Sequence, residues 1–133
     1  MSEEDNVRFV RALWAAIADG GLEAALKLTD PDVEWRPHAA GGRVLTSEEL
    51  LRFFGEFQGE RQLLEATPYA FFSHGDLVLA SGSFRLKGES MSEFQIHFVY
   101  EFEDGRLVRS ATYATRNEAV AAMDLADGES ADG

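Results

Sequence analysis

Between Asp5 and Asp19 the apolar residues Val7, Val10, Leu13, Trp14 and Ile17 recur three or four places apart. That spacing lines one stripe of a helix. Ser2, three places ahead of Asp5, is positioned to cap it, and Gly20-Gly21 ends it. Leu22 to Leu28 reads as a short second helix, stopped at Asp30-Pro31 because the residue before a proline avoids helical angles. Val33-Glu34-Trp35-Arg36-Pro37 alternates as a short strand. Thr46-Ser47-Glu48-Glu49 then has the Thr-x-x-Glu spacing of a capping box, with Leu50, Phe53, Phe54 and Phe57 following at i, i+3, i+4 and i+7. This predicts a third, strongly amphipathic helix.

After Gly59 the period falls from about 3.6 to 2. Residues 62–74 and 77–87 alternate loosely around His74-Gly75-Asp76, and 92–102 alternate sharply: Phe94, Ile96, Phe98, Tyr100 and Phe102 against Gln95, His97, Val99 and Glu101. Asp104-Gly105 is the dipeptide favoured where a tight hairpin needs positive φ, so 92–102 and 106–114 pair antiparallel. Thr115-x-x-Glu118 is a second capping box, opening a short final helix through Ala119, Val120 and Met123. Helices first and a strand meander afterwards indicate an α+β fold, with the helices packed on one face of a curved sheet.

Charge refines this outline at the ends. The 133 residues carry 24 acids against 12 bases, a net of −12, but seven of those acids (Glu3, Glu4, Asp5, Asp124, Asp127, Glu129 and Asp132) sit where there is no Lys or Arg. One domain, 6–123, is expected between an acidic N-terminal end, 1–5, and a disordered acidic tail, 124–133. Its 17 acids and 12 bases leave it only mildly acidic. An acid excess works against nucleic acid and anionic membrane as partners, whose affinity draws on Lys and Arg. No apolar run approaches the roughly 18 residues of a membrane span, and the start is the reverse of a basic leader, so a cytoplasmic protein is expected.

The absence of cysteine removes disulfides, thiolate metal sites and a thiol nucleophile. His38, His74 and His97 stand in no metal-ligand spacing, and no phosphate-cradling glycine motif or serine-hydrolase elbow occurs, so no metal and no cofactor are expected. His74 reads as a loop residue. His97 alternates with the polar row and points away from the core, to solvent or a partner subunit. His38 ends the first strand, where a cavity mouth would lie. The 15 aromatics explain themselves largely as core, yet a curved sheet under helices is often too wide to fill, and aromatic walls then form an apolar pocket. Tyr100 projects a hydroxyl from a hydrocarbon face and serves either as a pocket hydroxyl or as a core residue bonded to backbone. Ser110 and Thr112 are its candidate partners.

Three stretches taken in order resemble a known superfamily. They are Trp14-Ala15-Ala16-Ile17-Ala18-Asp19-Gly20-Gly21-Leu22-Glu23-Ala24-Ala25-Leu26, Asp30-Pro31-Asp32-Val33-Glu34-Trp35, and Asp104-Gly105-Arg106-Leu107-Val108 with Tyr113 and Glu118-Ala119. They look like the nuclear transport factor 2-like fold, closest to its SnoaL-like branch. The resemblance implies a conical barrel, a mixed sheet on three N-terminal helices with a short C-terminal helix, a pocket between them, and commonly a dimer through the outer sheet face. It does not carry a mechanism. Where ketosteroid isomerases of this fold carry a Tyr and two Asp, this chain has Leu13, Arg36 or Pro37, and Phe98; the Tyr-x-Asp of SnoaL-like cyclases is Tyr113-Ala114-Thr115; and the Asp-Arg-Asp of limonene epoxide hydrolases has no counterpart on the greasy strand faces. Loss of a general base removes about 10²–10⁴ in rate.

The expectation is a small hydrophobic molecule bound in a pocket lined by Trp14, Trp35, Phe53, Phe57, Phe84, Phe98, Tyr100 and Ser110. An isomerase, cyclase or dehydratase using His38 and Tyr100 as its acid–base pair is the alternative, and a non-catalytic dimerisation module with a filled core is the third reading. A homodimer interface is expected at Gln95, His97, Val99 and Tyr113.

Overall fold

In a computed structural model that describes residues 2–132, with side chains through Asp124, the first helix α1 (Glu3–Leu26) leads into β1 (Glu34–Arg36), a single 3-10 turn (His38–Ala40) and α2 (Ser47–Gln58). The strands β2 (Gln62–His74), β3 (Leu77–Lys87), β4 (Met91–Glu103) and β5 (Arg106–Tyr113) follow, and α3 (Arg116–Asp132) ends the chain. The expected 124–133 tail falls on residues that, beyond Asp124, lie outside the described side chains.

Each helix start is fixed by a side chain. Ser2 Oγ accepts the Asp5 N–H and Asp5 accepts the Ser2 N–H, both at 3.2 Å, and these hydrogen bonds hold the Asp5 carboxyl below its usual range. Thr46 and Glu49 do the same at 3.1 and 3.0 Å, lowering Glu49 likewise. Thr115 Oγ1 accepts the Glu118 N–H at 3.2 Å. These bonds satisfy amides that a helix start otherwise leaves open.

The two helices expected on either side of Gly20-Gly21 form one element with a break. Gly21 sits at φ 80°, ψ −177°, a conformation that excludes side chains. The break turns Leu22 to Leu26 away from the line of α1 and over the sheet, which later becomes important for the cavity.

The sheet order is β1-β5-β4-β3-β2, antiparallel except for the parallel β1·β5 pair. It does not close into a barrel: β1 and β2 are its edges. Asp104 (φ 52°) and Gly105 (φ 79°) make the predicted β4–β5 hairpin turn. On edge strand β2 the pairing register slips between Leu63 and Glu65 and again around Pro68. No helix among the described residues is long and apolar enough to cross a membrane.

Register sorts the side chains into two faces. Inward rows run Trp35, Ser110, Tyr100, Val78 and Thr112, Phe98, Ala80, Phe71, with Ile96 beside Gly82 and Phe94 beside Phe84. Trp14 of α1 is fully buried against the inner face over Gly82, packing on Phe84 (centroids 5.4 Å) and Phe98 (5.6 Å). The main core gathers there, between α1 and the β2–β3 half of the sheet.

The outer face has its own apolar row, Phe72, Leu79, Val99, Ala111, flanked by Glu101, Arg109 and Glu34. Arg109 pairs with both carboxylates and with Glu103. α3 lies on this face: Ala119 and Met123 pack with Leu77, Leu79 and Val99 into a second, smaller core. The face that the sequence leaves to a partner is thus partly covered by the chain's own last helix.

Candidate functional site: an apolar cavity under helix α2

The β1–β5–β4 half of the inner face has less to cover it. Trp14 fills the other half, and α1 on both sides of its break, together with the apolar face of α2, reaches across this one. A cavity of about 310 Å³ remains. Its walls include Leu13, Ile17, Leu22, Ala25 and Leu26 from α1, Trp35, and Leu50, Phe53, Phe54 and Phe57 from α2, facing Phe84, Phe94, Ile96, Phe98 and Tyr100 on the sheet. Among the described residues no Asp, Glu, Lys or Arg lines it. An apolar cavity of about 150 Å³ accepts benzene, so this one has room for roughly two fused rings.

α2 makes the incompleteness visible. It is the most amphipathic stretch of the chain, yet none of its residues is fully buried, because its apolar side faces the cavity. It is tethered at its ends instead. Trp35 Nε1 donates to Ser47 Oγ at 2.9 Å. At the far end Phe57 meets Phe94 edge-on (5.5 Å), and the Arg61 guanidinium lies over both rings while bonding the Phe57 and Gln58 carbonyls. Phe57 (42% exposed) and Phe94 (36% exposed) form an aromatic part of the rim.

Six of the eight residues expected to line a pocket do so: Trp35, Phe53, Phe57, Phe84, Phe98 and Tyr100. Trp14 and Ser110 do not. Trp14 is one layer behind, wedged between Gly82 and the aromatic wall. Ser110 is covered by its register partners Trp35 and Tyr100, and its hydroxyl has no hydrogen-bond partner. The partner of Tyr100 is neither Ser110 nor Thr112 but Trp14, whose Nε1–H donates to the phenol oxygen at 3.2 Å. Sequence alternation had no means of pairing residues 86 positions apart.

Tyr100 is 2% exposed, and burial drives its hydroxyl pKa far up, only partly offset by the Trp14 hydrogen bond. The phenol therefore stays protonated at pH 7 and cannot serve as a base. His38 is exposed on the 3-10 turn at the rim, its backbone N–H donating to Thr112 Oγ1 at 2.8 Å. Both residues border the one cavity. Pro37, Ala39, Gln95, Tyr113 and Ala114 complete the rim, and no signal in the sequence marked Gln95 as a cavity residue.

Of the residues expected at a subunit interface, Gln95 is exposed and Tyr113 half-buried. Val99 is buried against α3, and His97 is 5% exposed, its Nδ1 2.7 Å from Ser81 Oγ. His97 does point to the outer face, but that face is closed over it. Burial, with Arg116 adding to it, lowers its pKa, so the imidazole is neutral at pH 7. Beside it, an outer groove of about 250 Å³ runs over Leu77, Val99 and Ala111 between α3 and the charged row of Glu34, Glu101 and Arg109. Among the described residues no three His, Asp or Glu side chains group as metal ligands.

Solved structures share this architecture at low identity. An NTF2-like protein of unknown function from Burkholderia pseudomallei is 23% identical with a TM-score of 0.65, over 91% of this chain and 97% of that one. TerC co-crystallized with polyporic acid is 22% identical with a TM-score of 0.66, over 91% and 97%. A protein of ketosteroid isomerase-like fold from Catenulispora acidiphila, in complex with trimethylamine, is 17% identical with a TM-score of 0.64, over 81% and 85%. Likeness at this level establishes the fold alone. No curated protein matches the sequence. The family model described as SnoaL-like domain matches residues 10–110, most of the folded body, and the chain therefore belongs to the SnoaL-like family.

Proposed function

We propose that this SnoaL-like protein binds a small hydrophobic molecule in the cavity beneath α2. The observation that carries the reading is a void of about 310 Å³ whose lining, among the described residues, holds no Asp, Glu, Lys or Arg. Large apolar surface kept from side-chain packing is costly unless something else covers it. That TerC and the Catenulispora protein were crystallised with small ligands is in keeping with this.

Titration with the neutral fluorophore N-phenyl-1-naphthylamine tests it. Saturable binding near one molecule per chain is expected, together with slowed amide exchange concentrated in α2 (Ser47–Gln58), the element whose apolar face the ligand would complete. Absence of saturation, or protection spread evenly over the chain, would overturn it. An acid–base enzyme is the less favoured reading, because burial keeps the Tyr100 phenol protonated, so it cannot serve as the base, and among the described residues no carboxylate lines the cavity.

A homodimer through the outer face is the second part of the proposal. Its support is the apolar groove over Val99 and Ala111 with Phe72, 49% exposed, at the end of the same row. Gln95 and Tyr113 are the members of the expected interface that stay accessible; Val99 lies beneath α3 and His97 is buried against Ser81. Sedimentation equilibrium at micromolar concentration should give twice the 14.7 kDa chain mass, and a monomer would count against it.

A further inference from the structure

A hydroxyl can accept and donate at once, and the cavity hydroxyls on the inward rows of β4 and β5 are only half engaged. The Tyr100 oxygen accepts the Trp14 indole N–H at 3.2 Å, and Thr112 Oγ1 accepts the His38 backbone N–H at 2.8 Å. Neither donates its own proton to any of the described residues. Thr112 is half-buried next to the rim, within reach of solvent. Tyr100 is 2% exposed and stacked on Phe98 at 5.5 Å, in a wall that around it is aliphatic and phenyl. Ser110, the other buried hydroxyl of this face, lies beneath Trp35 and Tyr100 and does not border the cavity. The phenol proton of Tyr100 is therefore the buried donor of the cavity wall that lacks an acceptor.

Resting on the binding role proposed above, we infer that Tyr100 is the residue that fixes the ligand, and that the ligand is an uncharged molecule of about two rings bearing an accepting oxygen, in the simplest case a carbonyl, which takes the Tyr100 O–H. A purely hydrocarbon occupant would shut this donor away from water and leave it unmade, which is costly. A carbonyl on the same frame supplies what is missing. Burial keeps the proton on the phenol at pH 7, so the donor is always present. The indole N–H strengthens it, because a hydroxyl that accepts one hydrogen bond becomes a better donor of another. Trp14, which does not border the cavity, is then a positioning residue: it holds the phenol oxygen in place and polarises the O–H.

Tetralin and 1-tetralone share one two-ring frame and differ by the carbonyl, and their affinities are read by displacement of N-phenyl-1-naphthylamine. Because the ketone is also the better hydrated of the two, the informative quantity is the ketone-to-tetralin affinity ratio, compared between the unaltered protein and Tyr100→Phe. That ratio should fall roughly tenfold in the variant, and a ratio that does not move would overturn the inference. A second measurement needs no variant to fold. With carbon-13 at the carbonyl, the resonance of the bound ketone should lie downfield of its position in cyclohexane, as for a hydrogen-bonded carbonyl; a cyclohexane-like position overturns the inference. In Trp14→Phe the downfield displacement should shrink, and an undiminished one removes Trp14 from the positioning role. If tetralin binds and the carbonyl makes no difference, only this inference fails; if neither probe nor the fluorophore binds, the cavity reading falls with it.

Discussion

Replacing Trp14 with alanine should cost about 3–5 kcal/mol of folding stability, the range for removing a large aromatic from a packed core. The residue is wholly buried, stands on the inner face of the sheet and touches both Phe84 and Phe98. Urea unfolding monitored by circular dichroism measures the loss. A finer series separates packing from polarity. Trp14→Phe retains an aromatic ring but leaves the Tyr100 oxygen without its donor, and Tyr100→Phe leaves the indole N–H without its acceptor. Each should cost about 1–3 kcal/mol for the stranded group. The double variant should cost clearly less than the sum, since neither partner is then left behind. Strict additivity would mean that the Trp14–Tyr100 hydrogen bond contributes nothing to the native state.

The second large effect comes from adding one methyl group. A Cβ at Gly82 would lie 2.5 Å from the Thr67 carbonyl oxygen and 2.7 Å from two carbons of the Trp14 ring. The first of these is backbone of the neighbouring strand and cannot rotate away. Gly82→Ala should therefore lose about 1–3 kcal/mol, in the manner of an overpacked core, although alanine ordinarily suits a strand better than glycine. Gly55 in α2 is the internal control. Nothing lies within 4 Å of a Cβ there, and its φ is not positive, so Gly55→Ala should stabilise by up to about 1 kcal/mol through helix propensity. Thermal melts of the two variants should shift in opposite directions. A neutral Gly82→Ala would mean that Trp14 does not sit against β3.

These two predictions mark where the sequence was legible and where it was not. Elements defined by neighbours along the chain were readable: Thr46-x-x-Glu49 with its run of Phe and Leu gave α2, and Asp104-Gly105 gave the last hairpin, because capping and positive φ are local requirements. The alternation of β4 correctly separated Phe94, Phe98 and Tyr100 from His97 and Val99, yet it misjudged what burial each face would have. Phe94 lines an unfilled cavity and stays partly exposed, while Val99 is shut under α3 and His97 is buried against Ser81. Periodicity reports which way a side chain points; what lies opposite is decided by distant parts of the chain. Trp14 shows the same limit. Its stripe placed it on the buried side of α1, but whether it would face the cavity or stand behind its wall depended on a glycine 68 positions later.

Edge strand β2 bears on how copies of this protein can meet. An open sheet edge is a template for another chain's strand, and β2 carries exposed Leu64, Tyr69 and Phe72 along that edge. Pro68 removes an amide from the middle of the strand, and the register slips on either side of it interrupt the regular line of donors and acceptors that an incoming strand would need. Ladder growth from this edge is blocked at the point where the side chains would most encourage it. The interruption works against strand-to-strand addition, a mode of association that has no natural end.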